Sequence, residues 1–355
     1  MASTIDKPFK TYEEQIQILE SRNVIIEDRD DAIRQLKEFS YYTLVNGYKD
    51  TFFSVPGTDS FRPGTRFDEL LTLHLIDLSI NSIIMKYILA LENALKTRIS
   101  YIVASRFGTE FNDIPQNTNT SNDYLSPLNY SQNGNHRSIT NSFVNKVKRD
   151  INWKRNHPND CRSEAVAHYL RVHNHLPPWI LTTELTFYQA TEWYRILKKP
   201  EKEIINDEFL SGFSNVSSLS YDEKTEFLTQ AFSLLRKFRN MIAHNHKTFQ
   251  TKPNIFLPKR SYLRLTQGTV SEREYNDDFG KSDLYAILNC CILLINTRYL
   301  ISALLDDLTH VFSPYEDTKI CDKTVKEIFG LPEDILERLR IIAIAKFATG
   351  SNQTP

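Results

Sequence analysis

Glycine is scarce in this chain, with 10 in 355 residues. So little glycine disfavours turn-rich sandwiches, glycine-loop nucleotide folds and linker-rich chains. In keeping with that, no GxxxxGK[ST], GxGxxG, GxSxG or HExxH string occurs. The 4 cysteines, Cys161, Cys290, Cys291 and Cys321, show neither a CxxC pair nor a disulfide framework. Charge of one sign is also missing: 43 Lys and Arg face 44 Asp and Glu, for a net charge of −1. That balance excludes a globally basic nucleic-acid binder but leaves room for a local basic site. Met1 to Lys10 has no apolar core of a secretory signal. Leu284–Leu305 is the most apolar stretch singled out, yet Asn289, Asn296 and Arg298 interrupt it. It is too short and polar for a bilayer span and is expected to be a buried helix. The expectation is a soluble, reduced, cytoplasmic protein that does not enter a membrane.

What is present suits a folded helical protein. Hydrophobic residues make up 41% of the chain, enough for a packed core. At roughly 150 residues per domain, the length fits two domains or one with extensions. Thr11 and Glu14 form a capping box before a helix to about Arg22, and Asp28 caps a second through Phe39. Tyr41, Tyr42 and Tyr48 around Gly47 predict a packed turn. Residues Phe67 to Phe107 read as a long helical segment, one helix or two in series. Within it Ile84, Ile88, Leu91, Leu95, Ile99 and Ile102 step by 4, 3, 4, 4, 3, a single helical stripe. Gly108 is a natural stop. The asparagine-rich residues 112–137 predict a surface insertion.

Further helices are predicted over about Ile139–Trp153 and Arg162–Val172, then after Pro177-Pro178 with Thr182 or Thr183 as cap. Others cover Tyr221–Asn245, residues 282–308 and about 332–346, with an extended stretch at Pro253 and Pro258. The expected division is an N-terminal helical region, 1–65, a main helical domain, 66–310, and a C-terminal helical tail, 311–355.

One string carries chemistry: Leu235-Arg236-Lys237-Phe238-Arg239-Asn240-Met241-Ile242-Ala243-His244-Asn245. It contains Arg-x4-His with Asn directly after the Arg. Spacing alone says little, since Arg162 and His168 make a similar pair elsewhere. A helix end also attracts His and Arg through its dipole, and Asn245 suits a C-terminal cap. The surroundings say more. Asn240 and His244 share a helix face, and Arg239 reaches the same site from an adjoining arc. From Phe227 to Ser271 there is no Asp or Glu among 45 residues, which hold 8 Lys or Arg. Arg236, Lys237, Lys247, Lys259 and Arg260 are therefore candidate RNA-binding residues on a local anion-binding surface. A second basic run, Lys146, Lys148, Arg149, Lys154 and Arg155, extends it. His168, His173 and His175 near Cys161 match no zinc spacing, so neither a metal nor a cofactor is expected.

The chain resembles the AbiD/AbiF-type abortive-infection proteins of the HEPN superfamily. The likeness runs through Lys7-Pro8-Phe9-Lys10-Thr11, Tyr41-Tyr42 and Gly47-Tyr48. It continues from Phe67 through Asp77 to Leu91-Glu92 and Lys96-Thr97-Arg98. It returns at Leu176-Pro177-Pro178-Trp179 with Glu184, Leu185 and Phe187, and ends on Arg239-Asn240 and Ala243-His244-Asn245. Tyr188 departs from it, standing where glycine is usual, as does Leu75-Ile76-Asp77, which lacks the usual aromatic pairing. The resemblance implies an all-α, HEPN-like helical bundle with an N-terminal helical extension. It also implies a metal-independent endoribonuclease whose motifs meet across a two-fold interface. Arg239, Asn240 and His244 take the catalytic roles on that reading.

Those residue types fit the reaction. RNA supplies its own nucleophile, the 2′-OH, and needs a base and an acid, roles that histidine fills near neutrality. Arginine suits the oxygens of the phosphorane. Glu92 is a further candidate, able to hold Arg239 or simply to pair with Lys96 one turn on. The expected partners are RNA, as target or as a structured noncoding RNA, and a second copy of the chain. Two other readings stay open: a non-catalytic RNA-binding protein, and a helical interaction protein whose motif is only a helix end.

Overall fold

A computed structural model describes residues 7–54, 60–110 and 123–348. The chain is all-α. In order run α1 (Tyr12–Ser21), α2 (Arg29–Phe39), α3 (Gly47–Phe52), α4 (Phe67–Phe107), α5 (His136–Asn156) and α6 (Glu164–Val172). Then come α7 (Pro178–Glu184), α8 (Phe187–Ile196), α9 (Lys199–Phe209), α10 (Tyr221–Ala243) and α11 (Lys259–Leu265). The last are α12 (Glu272–Asn276), α13 (Leu284–Leu294), α14 (Arg298–Phe312), α15 (Val325–Ile328) and α16 (Ile335–Phe347). Among the described residues the only sheet is the hairpin of β1 (Lys319–Ile320) and β2 (Lys323–Thr324), with Lys319 opposite Thr324. Its turn residues Cys321 and Asp322 have φ of 52° and 65°, as a two-residue hairpin of primed type requires.

Contacts divide the chain into two compact units, each drawn from separate stretches. Unit 1 comprises residues 1–83, 241–251 and 305–336; unit 2 comprises 84–240, 252–304 and 337–355.

Unit 1 is built on α1, α2, α3 and the first part of α4. Thr11 and Glu14 form the expected capping box, and Asp28 accepts the Asp31 N–H at 2.9 Å. The predicted turn around Gly47 is instead helical. Residues Tyr42–Asn46 form a π-helical turn running straight into α3, with Gly47 at φ −66°. No reversal occurs because the glycine stays in the right-handed region. Ile16, Leu19, Leu36, Leu44, Phe52, Leu70, Leu73 and Phe249 make its core.

Unit 2 is centred on α13, all eleven residues of which are buried. Its only strongly polar side chain, Asn289, donates to the Tyr262 hydroxyl at 2.8 Å, so the burial leaves that amide nitrogen satisfied. Burial likewise pushes the Cys291 thiol up to about 12. The apolar run expected as one helix over 282–308 is two, parted at Ile295–Thr297. The stripe Ile84, Ile88, Leu91, Leu95, Ile99 and Ile102 is buried as expected, and Gly108 ends α4 at φ 84°. Among the described residues α4 is the helix long and apolar enough to cross a membrane, with 56% of its most apolar window inside the protein.

The surface insertion expected at 112–137 needs correction where it is described; residues 112–122 lie outside the described residues. Tyr124, Leu125 and Tyr130 are fully buried. Tyr124 donates to the Leu176 carbonyl at 2.7 Å, and the Trp193 Nε1–H donates to the Tyr130 hydroxyl at 3.0 Å. Asparagine-rich composition marks turns, but the aromatic residues between them fill the core. Two further corrections concern helices. The cap of α8 is Thr186, whose partner Gln189 closes a capping box, rather than Thr182 or Thr183. Helices α9 and α11 also form where no helix was expected.

Candidate functional site

On the unit 2 part of α10, Leu228, Ala231, Leu235 and Phe238 face the core. That periodicity leaves Arg236, Lys237, Arg239 and Asn240 on the remaining arcs. Arg236, Arg239 and Asn240 line a cavity of about 450 Å³ with Glu92, Arg162 and residues 183–188. Those last residues run from the end of α7 through Leu185-Thr186 into the first turn of α8, which the Thr186 capping box starts. The Arg236 guanidinium lies 4.8 Å from the centre of the Tyr188 ring. Arg239 Nη1 is 3.4 Å from Asn240 Oδ1, a long hydrogen bond, and Arg239 Nε is buried without a partner. Among the described residues, none of the three guanidiniums of this cavity pairs with a carboxylate.

The two acids of the cavity are engaged elsewhere. Glu184 Oε1 accepts from Lys154 Nζ at 2.7 Å and from the Arg162 N–H at 3.0 Å, and Oε2 accepts from the Ser163 N–H at 3.0 Å. Glu92 is 8% exposed and pairs with Lys96 at 2.7 Å. It shares the cavity with Arg239, but its ion pair goes to its own helix. The cavity therefore combines guanidiniums that have no carboxylate partner with two acids whose ion pairs go to lysines. Of the acids' oxygens, Glu92 Oε2 alone is buried without a partner. The arrangement is suited to an anion with several oxygens.

His244 lies in unit 1. Helix α10 ends at Ala243 in a Schellman motif. The His246 N–H donates to the Met241 carbonyl at 2.9 Å, and the Asn245 N–H to that of Ile242 at 2.9 Å. Asn245 takes the left-handed position at φ 55°. This cap leaves His244 and His246 exposed, their ring centroids 6.2 Å apart. Residues 244–247 line a cavity of about 540 Å³ with Tyr42, Thr43, Gly47, Tyr48, His74 and Asp77.

Beneath this cavity runs a buried polar network. The Tyr48 hydroxyl is 3.0 Å from Asp77 Oδ2 and 3.0 Å from His74 Nδ1. With its one proton given to the carboxylate, the hydroxyl accepts from His74 Nδ1–H, which sets the tautomer. Thr248 donates to Asn81 Oδ1 at 2.5 Å. Burial pushes the Asp77 carboxyl up to about 6 against the hydrogen bonds from Tyr48 and Thr248, and pushes His74 down. Lys247 is also lowered by burial, with Asp50 and Asp77 opposing.

The basic run is free of acid in sequence but not in space. Lys259 pairs with Glu272 at 2.5 Å and Arg260 with Glu223 at 2.9 Å. Lys237 is exposed, whereas Lys247 is half-buried with its ammonium 4.9 Å from the Phe249 ring centre. In the second run, Lys148 is buried against Asp123 at 2.6 Å and Lys154 against Glu184. Among the described residues no three His, Cys, Asp or Glu side chains gather as a metal site would.

A family described as Abi-like protein matches residues 34–250. The chain belongs to the Abi-like protein family. No curated protein and no solved structure matches it. The Abi-like match takes in both cavities and the whole string from Arg236 to Lys247, and stops before Lys259 and Arg260. Sequence reasoning passed over Arg162, His246 and the Tyr48–His74–Asp77 network. His246 had a visible signal, a second histidine two residues beyond the motif. For Arg162 the only signal was an unexplained Arg-x5-His.

Proposed function

We propose that this Abi-like protein is a phage-defence effector of HEPN type that cuts RNA without a metal. The observation that carries the reading is the cavity around Arg239. Its guanidiniums lack carboxylate partners, and the helix bearing Arg239 and Asn240 is followed by the exposed His244. A backbone phosphate of RNA is the anion this cavity fits. Arg239 holds its non-bridging oxygens and stabilises the charge that grows on them as the phosphorane forms. Asn240 orients Arg239 through its side-chain oxygen. His244 exchanges a proton with the 2′-OH or the leaving 5′ oxygen. The nucleophile belongs to the substrate, so no metal-bound water is needed. Glu92 shapes the floor of the cavity beside Arg239.

The test is purified protein on RNA in EDTA, wild type beside His244→Ala. Cleavage by wild type and loss of at least about a hundredfold in the variant is expected, the usual worth of one acid–base group. Tight binding without cutting by the wild type would favour a protein that only holds a structured RNA.

A further inference from the structure

We propose that Tyr188 is the stacking platform of a nucleobase subsite, so that the protein grips single-stranded RNA by a base as well as by phosphate. This rests on the reading that RNA is the ligand. Tyr188 stands in the first turn of α8 and is 47% exposed. It lines two cavities of unit 2, the one around Arg239 and another of about 400 Å³ between α5 and α8. The Arg236 guanidinium lies over its ring, 4.8 Å from the centre, and much of the ring is still open to solvent. An aromatic ring paired with a guanidinium is the kind of surface on which unpaired bases stack.

The two cavities differ in what they can hold. Around Arg239 the guanidiniums without carboxylate partners suit phosphate oxygens. The cavity between α5 and α8 is walled by Ile139, Phe143 and Val147. Phe143 packs on the buried Trp193 with ring centres 5.8 Å apart, which fixes α5 against α8. Of the two cations there, Arg195 lies 3.7 Å from Glu192, and Lys146 has no carboxylate partner among the described residues. A partly apolar cavity that also holds a carboxylate suits a flat, uncharged base better than a phosphate. Gln189 and Glu192 supply the direction. The Gln189 oxygen accepts from the Thr186 N–H at 2.9 Å and its hydroxyl at 3.0 Å. That holds the side chain and leaves its amide nitrogen to donate, while Glu192 accepts. A donor and an acceptor against apolar walls can read the edge of a base. In a duplex that edge is paired and the base is stacked on its neighbours, so the subsite selects single strands.

The experiment follows the fluorescence of short single-stranded RNAs, each with one 2-aminopurine at a different position. They are titrated with His244→Ala protein, which keeps the RNA whole, and with the same protein carrying Tyr188→Phe, Tyr188→Leu or Ser142→Leu. Stacking should quench one position in the parent and in Tyr188→Phe. Tyr188→Leu should abolish that quench and weaken binding roughly 5- to 150-fold, the usual worth of one stacked base, with Tm unchanged. Ser142→Leu should fill the cavity between α5 and α8 and abolish the same quench. A duplex of the same sequence should bind the parent and Tyr188→Leu alike. A loss in Tyr188→Leu of less than about fivefold, or a quench that survives either leucine substitution, would overturn the subsite while RNA binding stands. So would a duplex as sensitive to Tyr188→Leu as the single strand. RNA that fails to bind the parent at all takes the RNA reading down with it.

Discussion

Arg239, Asn240 and His244 stand out in sequence because their types match a chemistry and their places match a helix end. Tyr48, His74 and Asp77 do not, since the hydroxyl lies 26 and 29 residues from its two partners. Only tertiary packing brings them together, and packing in unit 2 likewise buries Glu92 against a half-buried Lys96, where an exposed pair was the alternative expected. Asp77 gives this scale its test. Its carboxyl ordinarily titrates at 3.8 and here is raised to about 6. Below pH ~4 it is protonated folded and unfolded, and costs nothing. From about pH 4 to 6 the unfolded chain ionises first, so stability falls as pH rises. Above 6 the cost is complete, on the order of 2–3 kcal/mol. Denaturant unfolding of Asp77→Asn beside wild type should therefore show the variant gaining by that amount between pH 4 and 7. A gap that stays constant with pH would mean that Asp77 is not raised.

The elements were legible where the signal is local. The capping boxes of α1 and the stop at Gly108 involve residues three or four apart, and both appear as read. Elements decided by distant packing were not. The parting of α13 from α14 did leave a mark, the polar Asn296-Thr297-Arg298 after Ile295, but helical periodicity resumes beyond it and the two were read as one helix. Helix α9 opens on Lys199-Pro200 and looks like a charged loop, although proline suits a first turn. The end of α10 matters most for function, since Asn245 at φ 55° positions the histidines on either side. Asn245→Gly keeps that conformation and should leave stability and cleavage near wild type. Asn245→Val should cost about 1–2 kcal/mol, because a branched side chain resists the left-handed region. It should also slow cleavage by disturbing the cap that places His244. Thermal melts and initial rates on the two variants check both expectations.

At the scale of the molecule, the all-α class followed from little glycine and pervasive helical periodicity. The charge distribution did not follow so simply. A stretch of 45 residues without acid looked like one binding face. In space Glu223 and Glu272 neutralise Arg260 and Lys259, while Arg162, Arg236 and Arg239 stay free of carboxylates around one cavity. RNA affinity should thus fall more for Arg236→Glu than for Lys259→Glu in binding titrations. The salt slope should flatten by roughly 0.7 for the phosphate contact that Arg236 loses. Equal losses would place the RNA on the 259–260 surface instead.

The central claim is that RNA is cut by its own 2′ oxygen at the Arg239–His244 motif. The most direct measurement is end-group analysis of the products formed in EDTA from an RNA and from the same RNA with one 2′-deoxy sugar at the cut. The account predicts a 2′,3′-cyclic phosphate and a 5′-OH from the first, and no cut at that position in the second. Cleavage of the deoxy-substituted strand at the same rate, or a requirement for a divalent ion, would contradict it.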